Sequence, residues 1–256
     1  MHPTLDGPFG RRIMEIKECI DSIDELVANG DVDTALSRCD QLIQESEKYL
    51  AIKADILHKK VQLLDWFKSD YHNCLMLLDE EISLRNQLGG GGLSGAYLLA
   101  GMINNFVGNQ EVAISFLDKV ILMSSVETEV AKATTILGDI YVKSDQAKAS
   151  NLLEDSMEIF KNREDQYMLC HVRMSLALLH AYEGSLENAK SECLFEIEEA
   201  RKLNEPGIIG TGYLRFAEIV TLENNRALAR HYGIMAYEIG EANNWDIMKS
   251  EAEVYL

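Results

Sequence analysis

Ala35, Cys74, Ala113, Ala149, Ala189 and Ala229 recur at intervals of 39, 39, 36, 40 and 40 residues, most of them after a short polar break and before an apolar stripe of helical period. A chain that repeats itself at this spacing folds as stacked supersecondary units, each burying its apolar face against its neighbours, so it needs no single closed core. The length of 256 residues therefore says little about domain number. Only Pro3, Pro8 and Pro206 interrupt the chain, which leaves almost the whole interior open to helix. The predicted fold class is all-α, built from about six antiparallel helix pairs and a last helix.

The same grammar returns in each unit. A first helix from about Arg11 to Ala28 ends at Asn29-Gly30, where glycine takes the left-handed cap. Asp31 then caps a second helix whose Val32, Ala35, Leu36, Cys39, Leu42 and Ile43 line one face. Comparable breaks stand at Ser69-Asp70, Gly108-Asn109 and Gly184-Ser185, while units four and six write theirs without glycine, as Lys143-Ser144-Asp145 and Glu223-Asn224-Asn225. The short interval before Ala149 predicts that one turn near Ala147 to Ala149 has lost residues or that the register has slipped there. A short side chain at each crossing lets two helix axes approach to about 8–10 Å. Residues 1–10, with two prolines and two glycines, read as a flexible lead-in; 11–242 form the array; 243–256 form a capping helix that covers its open end.

Forty-two acidic side chains against twenty-four basic ones give a formal charge of −18, which repels a nucleic-acid backbone and an anionic membrane at long range. No apolar run approaches the roughly 20 residues of a membrane helix, and the first residues contain no signal-peptide stretch. Five cysteines form no CxxC pair and have no histidine at zinc-ligand spacing. They read as small buried groups of a reducing compartment, and the expected location is cytoplasmic.

Leu137-Gly138-Asp139-Ile140-Tyr141 with Ala149 beyond, Tyr97, Gly101 and Ala113, Ala177, Gly184 and Ala189, and Phe216-Ala217 with Ala229 together resemble the signature of tetratricopeptide repeats. The resemblance covers about residues 11–242 and implies a right-handed α-solenoid, the superhelix of that family. The repeat is nearer 40 than the usual 34 residues, which is similar to the longer repeats of kinesin light chains, mitotic-spindle adaptor scaffolds and the sensors of bacterial activators of the maltose-regulator and Rap type. Units one and two lack the glycine and aromatic positions of the first helix.

The resemblance further implies that first helices line a concave groove for an extended or helical peptide. Its predicted contents are Lys59, Leu63 and Trp66 from unit two and Met102, Asn105 and Phe106 from unit three. Later units add Lys132, Asp139, Lys143, His171, Met174, Tyr182, Arg215 and Glu218. In unit two, Leu57, Val61 and Leu64 make a competing core stripe. Cations among aromatics suit a protein or peptide ligand with acidic and apolar anchors; scattered lysines on solvated faces are the plain alternative. The carboxylate clamp of chaperone-binding members is not carried over, because Leu63 stands where that clamp needs asparagine.

The run Leu88 to Ser94, with four consecutive glycines, has no following GK[ST] and reads as a hinge at 88–94 that also allows exchange of the first pairs between two chains of a homodimer. Cys170 and His171 are neighbours and point apart on a helix, so no nucleophile or metal set forms there, and no cofactor is predicted. The expected function is a non-enzymatic scaffold that binds a segment of another protein in its groove. The alternative is a regulatory sensor that takes a small peptide or metabolite and changes curvature.

Overall fold

The computed structural model describes residues 8–256, with side chains from residue 18 onward; part of the predicted lead-in lies outside these. Among the described residues there are thirteen helices and no strand. Helix α1 (Pro8–Ala28) packs with α2 (Val32–Glu45), and α3 (Leu50–Lys68) with α4 (Tyr71–Gln87). Next come α5 (Leu93–Phe106) and α6 (Gln110–Met123). Three further pairs follow: α7 (Glu127–Tyr141) with α8 (Gln146–Asn162), α9 (Gln166–Tyr182) with α10 (Leu186–Leu203), and α11 (Pro206–Leu222) with α12 (Arg226–Asn243). Helix α13 (Asp246–Glu253) ends the chain. Two compact units divide inside α5, one running to Ile103 and the other starting at Asn104.

In the first unit, the side chain of Asp31 accepts the Thr34 amide and that of Asp70 accepts the Asn73 amide, each satisfying a helix N-terminus. Ile23, Ala35, Cys39, Leu42, Ile56 and Leu63 form its central apolar cluster. The glycine run is tied to α4. Arg85 donates from Nη1 to the Gly91 carbonyl at 3.1 Å, from Nε to Glu81 at 2.6 Å and from Nη2 to Asp55 at 3.2 Å. Asp65 is buried without a hydrogen bond to Oδ1, and desolvation pushes its carboxyl up to about 6.

The second unit repeats the scheme, with Asp145, Asp165 and Asn225 capping α8, α9 and α12. Both glycine-free breaks form turns, and Asn224 supplies the left-handed residue of one at φ 59°. All six small residues of the repeat are buried, five of them with no exposed surface and Ala229 with 4%. Helices approach closely where glycine stands: a Cβ on Gly138 would lie 2.7 Å from Leu153, and one on Gly212 would lie 2.6 Å from Ile197. The short interval is corrected here. No residues are missing near Ala147 to Ala149; α6 has 14 residues where α8, α10 and α12 have 17 or 18, and the chain leaves it at Met123.

Curvature of this unit follows from which helices meet. Each first helix touches the next, α7 to α9, α9 to α11 and α11 to α13, whereas α8, α10 and α12 do not touch one another. The first helices therefore line the inside of the bend and the second helices splay on the outside.

Candidate functional site

The inner face of the second unit gathers polar side chains from three helices and one turn. Lys132 and Asp139 stand seven residues apart on one face of α7, with Lys143 in the turn beyond. His171 and Tyr182 share a face of α9, and Arg215 and Glu218 share one of α11. Arg215 Nη2 donates to Asp139 Oδ2 at 2.8 Å, a bond that passes from α11 to α7 across the intervening α9. Lys143 Nζ lies 2.7 Å from Glu218 Oε1, which also accepts the Tyr182 hydroxyl at 2.8 Å. The same ammonium stands 5.7 Å from the centre of the Tyr182 ring.

Burial dominates the electrostatics and the ion pairs correct it. Burial alone would raise the Glu218 carboxyl, but the Lys143 hydrogen bond and the Arg215 charge hold it below the usual range. Burial would likewise lower Lys143, and Glu218 outweighs it to keep the ammonium charged. His171 is pushed down by desolvation, with Arg215 adding to the effect against Asp139. Two atoms in this cluster, Asp139 Oδ1 and His171 Nδ1, are buried without a hydrogen-bond partner among the described residues.

Seven of the sequence-predicted residues thus stand on one inner face: Lys132, Asp139, Lys143, His171, Tyr182, Arg215 and Glu218. Lys132 is exposed and makes no ion pair among the described residues. Two others are corrected. Met174 has no exposed surface and fills the crossing of α9 with α11 beside Gly212. Leu63 is 2% exposed and belongs to the core with Ile23 and Ile56, together with the competing stripe of Leu57, Val61 and Leu64. In the first unit Lys59 pairs with Asp24 of α1, and Trp66 is 56% exposed on α3. Met102 and Asn105 are half-buried and Phe106 is exposed on α5, which straddles the two units.

Sequence reading missed Glu251 and Tyr255 of the last segment. Burial raises the Glu251 carboxyl, Arg215 opposes, and the like charges of Glu218 and Asp139 add to the rise. The Tyr255 hydroxyl is raised by burial and then by Glu218. Both therefore lie within reach of the inner cluster's charges; Glu251 is on α13 and Tyr255 in the turn after it, a segment the sequence presents only as a cap.

The four buried thiols carry no activation. Burial pushes Cys39 and Cys170 up to about 11 and Cys74 and Cys193 up to about 12, and all five cysteines are free. Among the described residues no His, Cys, Asp and Glu side chains form a group able to hold a metal ion, and no helix is long and apolar enough to cross a membrane.

No protein-family profile matches the chain, nor does any curated protein sequence. Solved structures do. A Rap protein complexed with competence and sporulation factor superposes with a TM-score of 0.67 at 17% identity, over 93% of this chain and 69% of that one. The STAND protein PH0952 from Pyrococcus horikoshii, which has a tetratricopeptide repeat sensor, gives 0.61 at 15% identity, over 94% of this chain and 36% of that one. The present chain thus spans about a third of that protein. BtubC from P. vanneervenii gives 0.50 at 16% identity, with 93% of both chains covered. With its buried small residues at a near-constant interval and its stacked helix pairs, the chain has the fold of a tetratricopeptide-like helical repeat array.

Proposed function

We propose that the chain is a binding module without chemistry of its own, which holds a peptide or a segment of another protein against the inner face of its second unit. The observation that supports this most is the pair of unpartnered buried atoms, Asp139 Oδ1 and His171 Nδ1, within a polar cluster drawn from several helices. A peptide backbone offers the donors and acceptors such atoms need. The Rap protein, which shares the fold, is complexed with competence and sporulation factor. Lys132, Lys143, Tyr182, Arg215 and Glu218 are the proposed contacts. Acidic anchors of a ligand would compete with Asp139 and Glu218 for Arg215 and Lys143, so the free ammonium of Lys132 is the group they meet first. Free, unactivated thiols fit a cytoplasmic location.

One observation favours the sensor reading as a variant of the same site. The Arg215 to Asp139 bond joins helices two pairs apart, so a ligand that parts it changes the curvature of the unit. Affinity capture with mass spectrometry, beside a thermal-shift screen of peptides and metabolites, separates the two. A scaffold enriches a protein whose dissociation is accelerated by Tyr182→Ala and whose association is slowed by Lys132→Glu with Lys143→Glu. A sensor gains melting temperature from a small ligand. Binding that survives all three changes and is lost on reversing Glu198 and Glu199 of α10 would put the interface on the outer face and overturn the inner-face reading.

A further inference from the structure

A cleft of about 440 Å³ lies between α9 and α10 of the second unit. It opens on the flank of α10 away from α11, since Arg201 marks the opposite flank by its bond to Tyr213 of α11. Its size falls within the roughly 300–1,000 Å³ of small-ligand sites.

The walls are unusual for a chance crevice. Phe195 lies against the cleft with 59% of its surface exposed, and Leu176 continues the apolar wall. Next to Phe195 on α10 is Glu196, only 5% exposed on a helix whose other carboxylates are solvated. Arg173 Nη1 approaches its Oε1 no closer than 3.6 Å, and Oε2 has no hydrogen-bond partner among the described residues. Burial raises this carboxyl; the Arg173 charge and the Cys170 thiol beside it only partly offset the rise, and the like charge of Glu199 adds to it. A desolvated carboxylate oxygen without a donor is costly, and the last torsion of glutamate is soft, so a small turn presents Oε2 to a donor in the cleft. Glu192, one turn away, holds His180 Nδ1 at 2.7 Å and adds a second negative wall.

The geometry points to this outer cleft as a docking site for an arginine side chain of a partner protein. The guanidinium supplies the N–H donor that Glu196 Oε2 lacks and a second for Glu192, which His180 alone engages; its charge balances two carboxylates faced by one arginine, and its flat face stacks on Phe195. A lysine offers a point charge with neither the fork nor the stacking plane. The site is separate from the inner face, because Arg173, Leu176 and His180 lie on the side of α9 opposite His171 and Tyr182.

The test is a titration of the protein with Nα-acetyl-arginine methylamide at pH 7.5, followed by amide shifts in a ¹H–¹⁵N spectrum. The expected result is saturable shifts in α9 and α10, at least tenfold weaker binding by Glu196→Gln, and several-fold weaker binding by Phe195→Ala and of the lysine analogue. Glu196→Gln keeps the side chain's shape and removes a buried charge, and a melting curve alongside verifies that it folds. Tyr182→Ala on the inner face should bind the probe as the parent does. Absence of saturation, equal affinity for the lysine analogue, undiminished binding by Glu196→Gln, or loss with Tyr182→Ala would each overturn the assignment.

Discussion

Arg215 and Asp139 are 76 positions apart in sequence and 2.8 Å apart in space, and the bond between them closes the inside of the bend over a third helix. Both side chains are mostly buried, at 23% and 14% exposure, so the pair is shielded from solvent but not fully dry. Arg215→Gln should cost about 1–3 kcal/mol, because Asp139 is left buried with its charge unanswered. Adding Asp139→Asn should recover part of that loss. Urea midpoints of the two single variants and the double form the cycle that measures the coupling, and additive costs would mean the bond contributes nothing.

Asp65 makes the stability of the fold depend on pH. Its carboxyl titrates near 6 in the fold against 3.8 in the open chain, so the folded state binds more protons between those values and stability falls as pH rises through that window. The penalty is absent below the lower value and complete above the upper one. Asp65→Asn should therefore stabilise the protein at pH 7 by about 2–3 kcal/mol and bring little at pH 4. Denaturation at both pH values checks the sign, and an equal effect at both would refute it.

Ala189 sits where α10 crosses its neighbour and has no exposed surface. Ala189→Leu should overpack that crossing at a cost of about 1–3 kcal/mol. Glu199→Leu, on the solvated side where the glutamate pairs with Lys202, should change stability by less than about 0.5 kcal/mol. Equal midpoints for the two variants would contradict the register of the repeat.

Gly92 holds φ at +74°, and a Cβ there would fall 2.4 Å from Arg85 Nη1. Gly92→Ala should destabilise the first unit by about 1–2 kcal/mol through left-handed strain, with the flexible arginine tip yielding more cheaply. The run at 88–94, read as a hinge, should be where a protease nicks first, and Arg85→Ala should hasten that cleavage by freeing the Gly91 carbonyl. Unchanged cleavage kinetics would show that the tie does not order the loop.

The repeat was legible because hairpin crossings admit only short side chains, and that constraint writes itself into sequence at every Ala or Cys of the period. Inner positions such as Asp139, His171 and Arg215 were legible for a related reason: a polar residue on an otherwise apolar helix must face away from the packed flanks. Leu63 and Met174 were misplaced because an inner helix is buried on two sides, so core and inner face adjoin within one residue of register. Partnerships were not legible at all. Nothing in the sequence ties Lys59 to Asp24 or Arg215 to Asp139, since those pairs depend on how far the pairs of helices bend. The same holds for Glu196, whose burial follows from how α10 packs on α9 beside Arg173, which no local pattern records.

Cys74 and Cys193 occupy positions on the second helices that point straight at a neighbouring first helix, with Sγ 3.7 Å from the Val61 carbonyl and 3.6 Å from the Gly212 carbonyl. An alkylating reagent meets Cys74 only if α4 parts from α3, and Cys193 only if α10 parts from α11 of the next pair. Stacked repeats open piecemeal, because each is held only by its neighbours. The labelling rate of each cysteine is therefore a local clock, one in α4 and one in α10, and the ratio of the two rates reports how far the two ends of the molecule come apart independently.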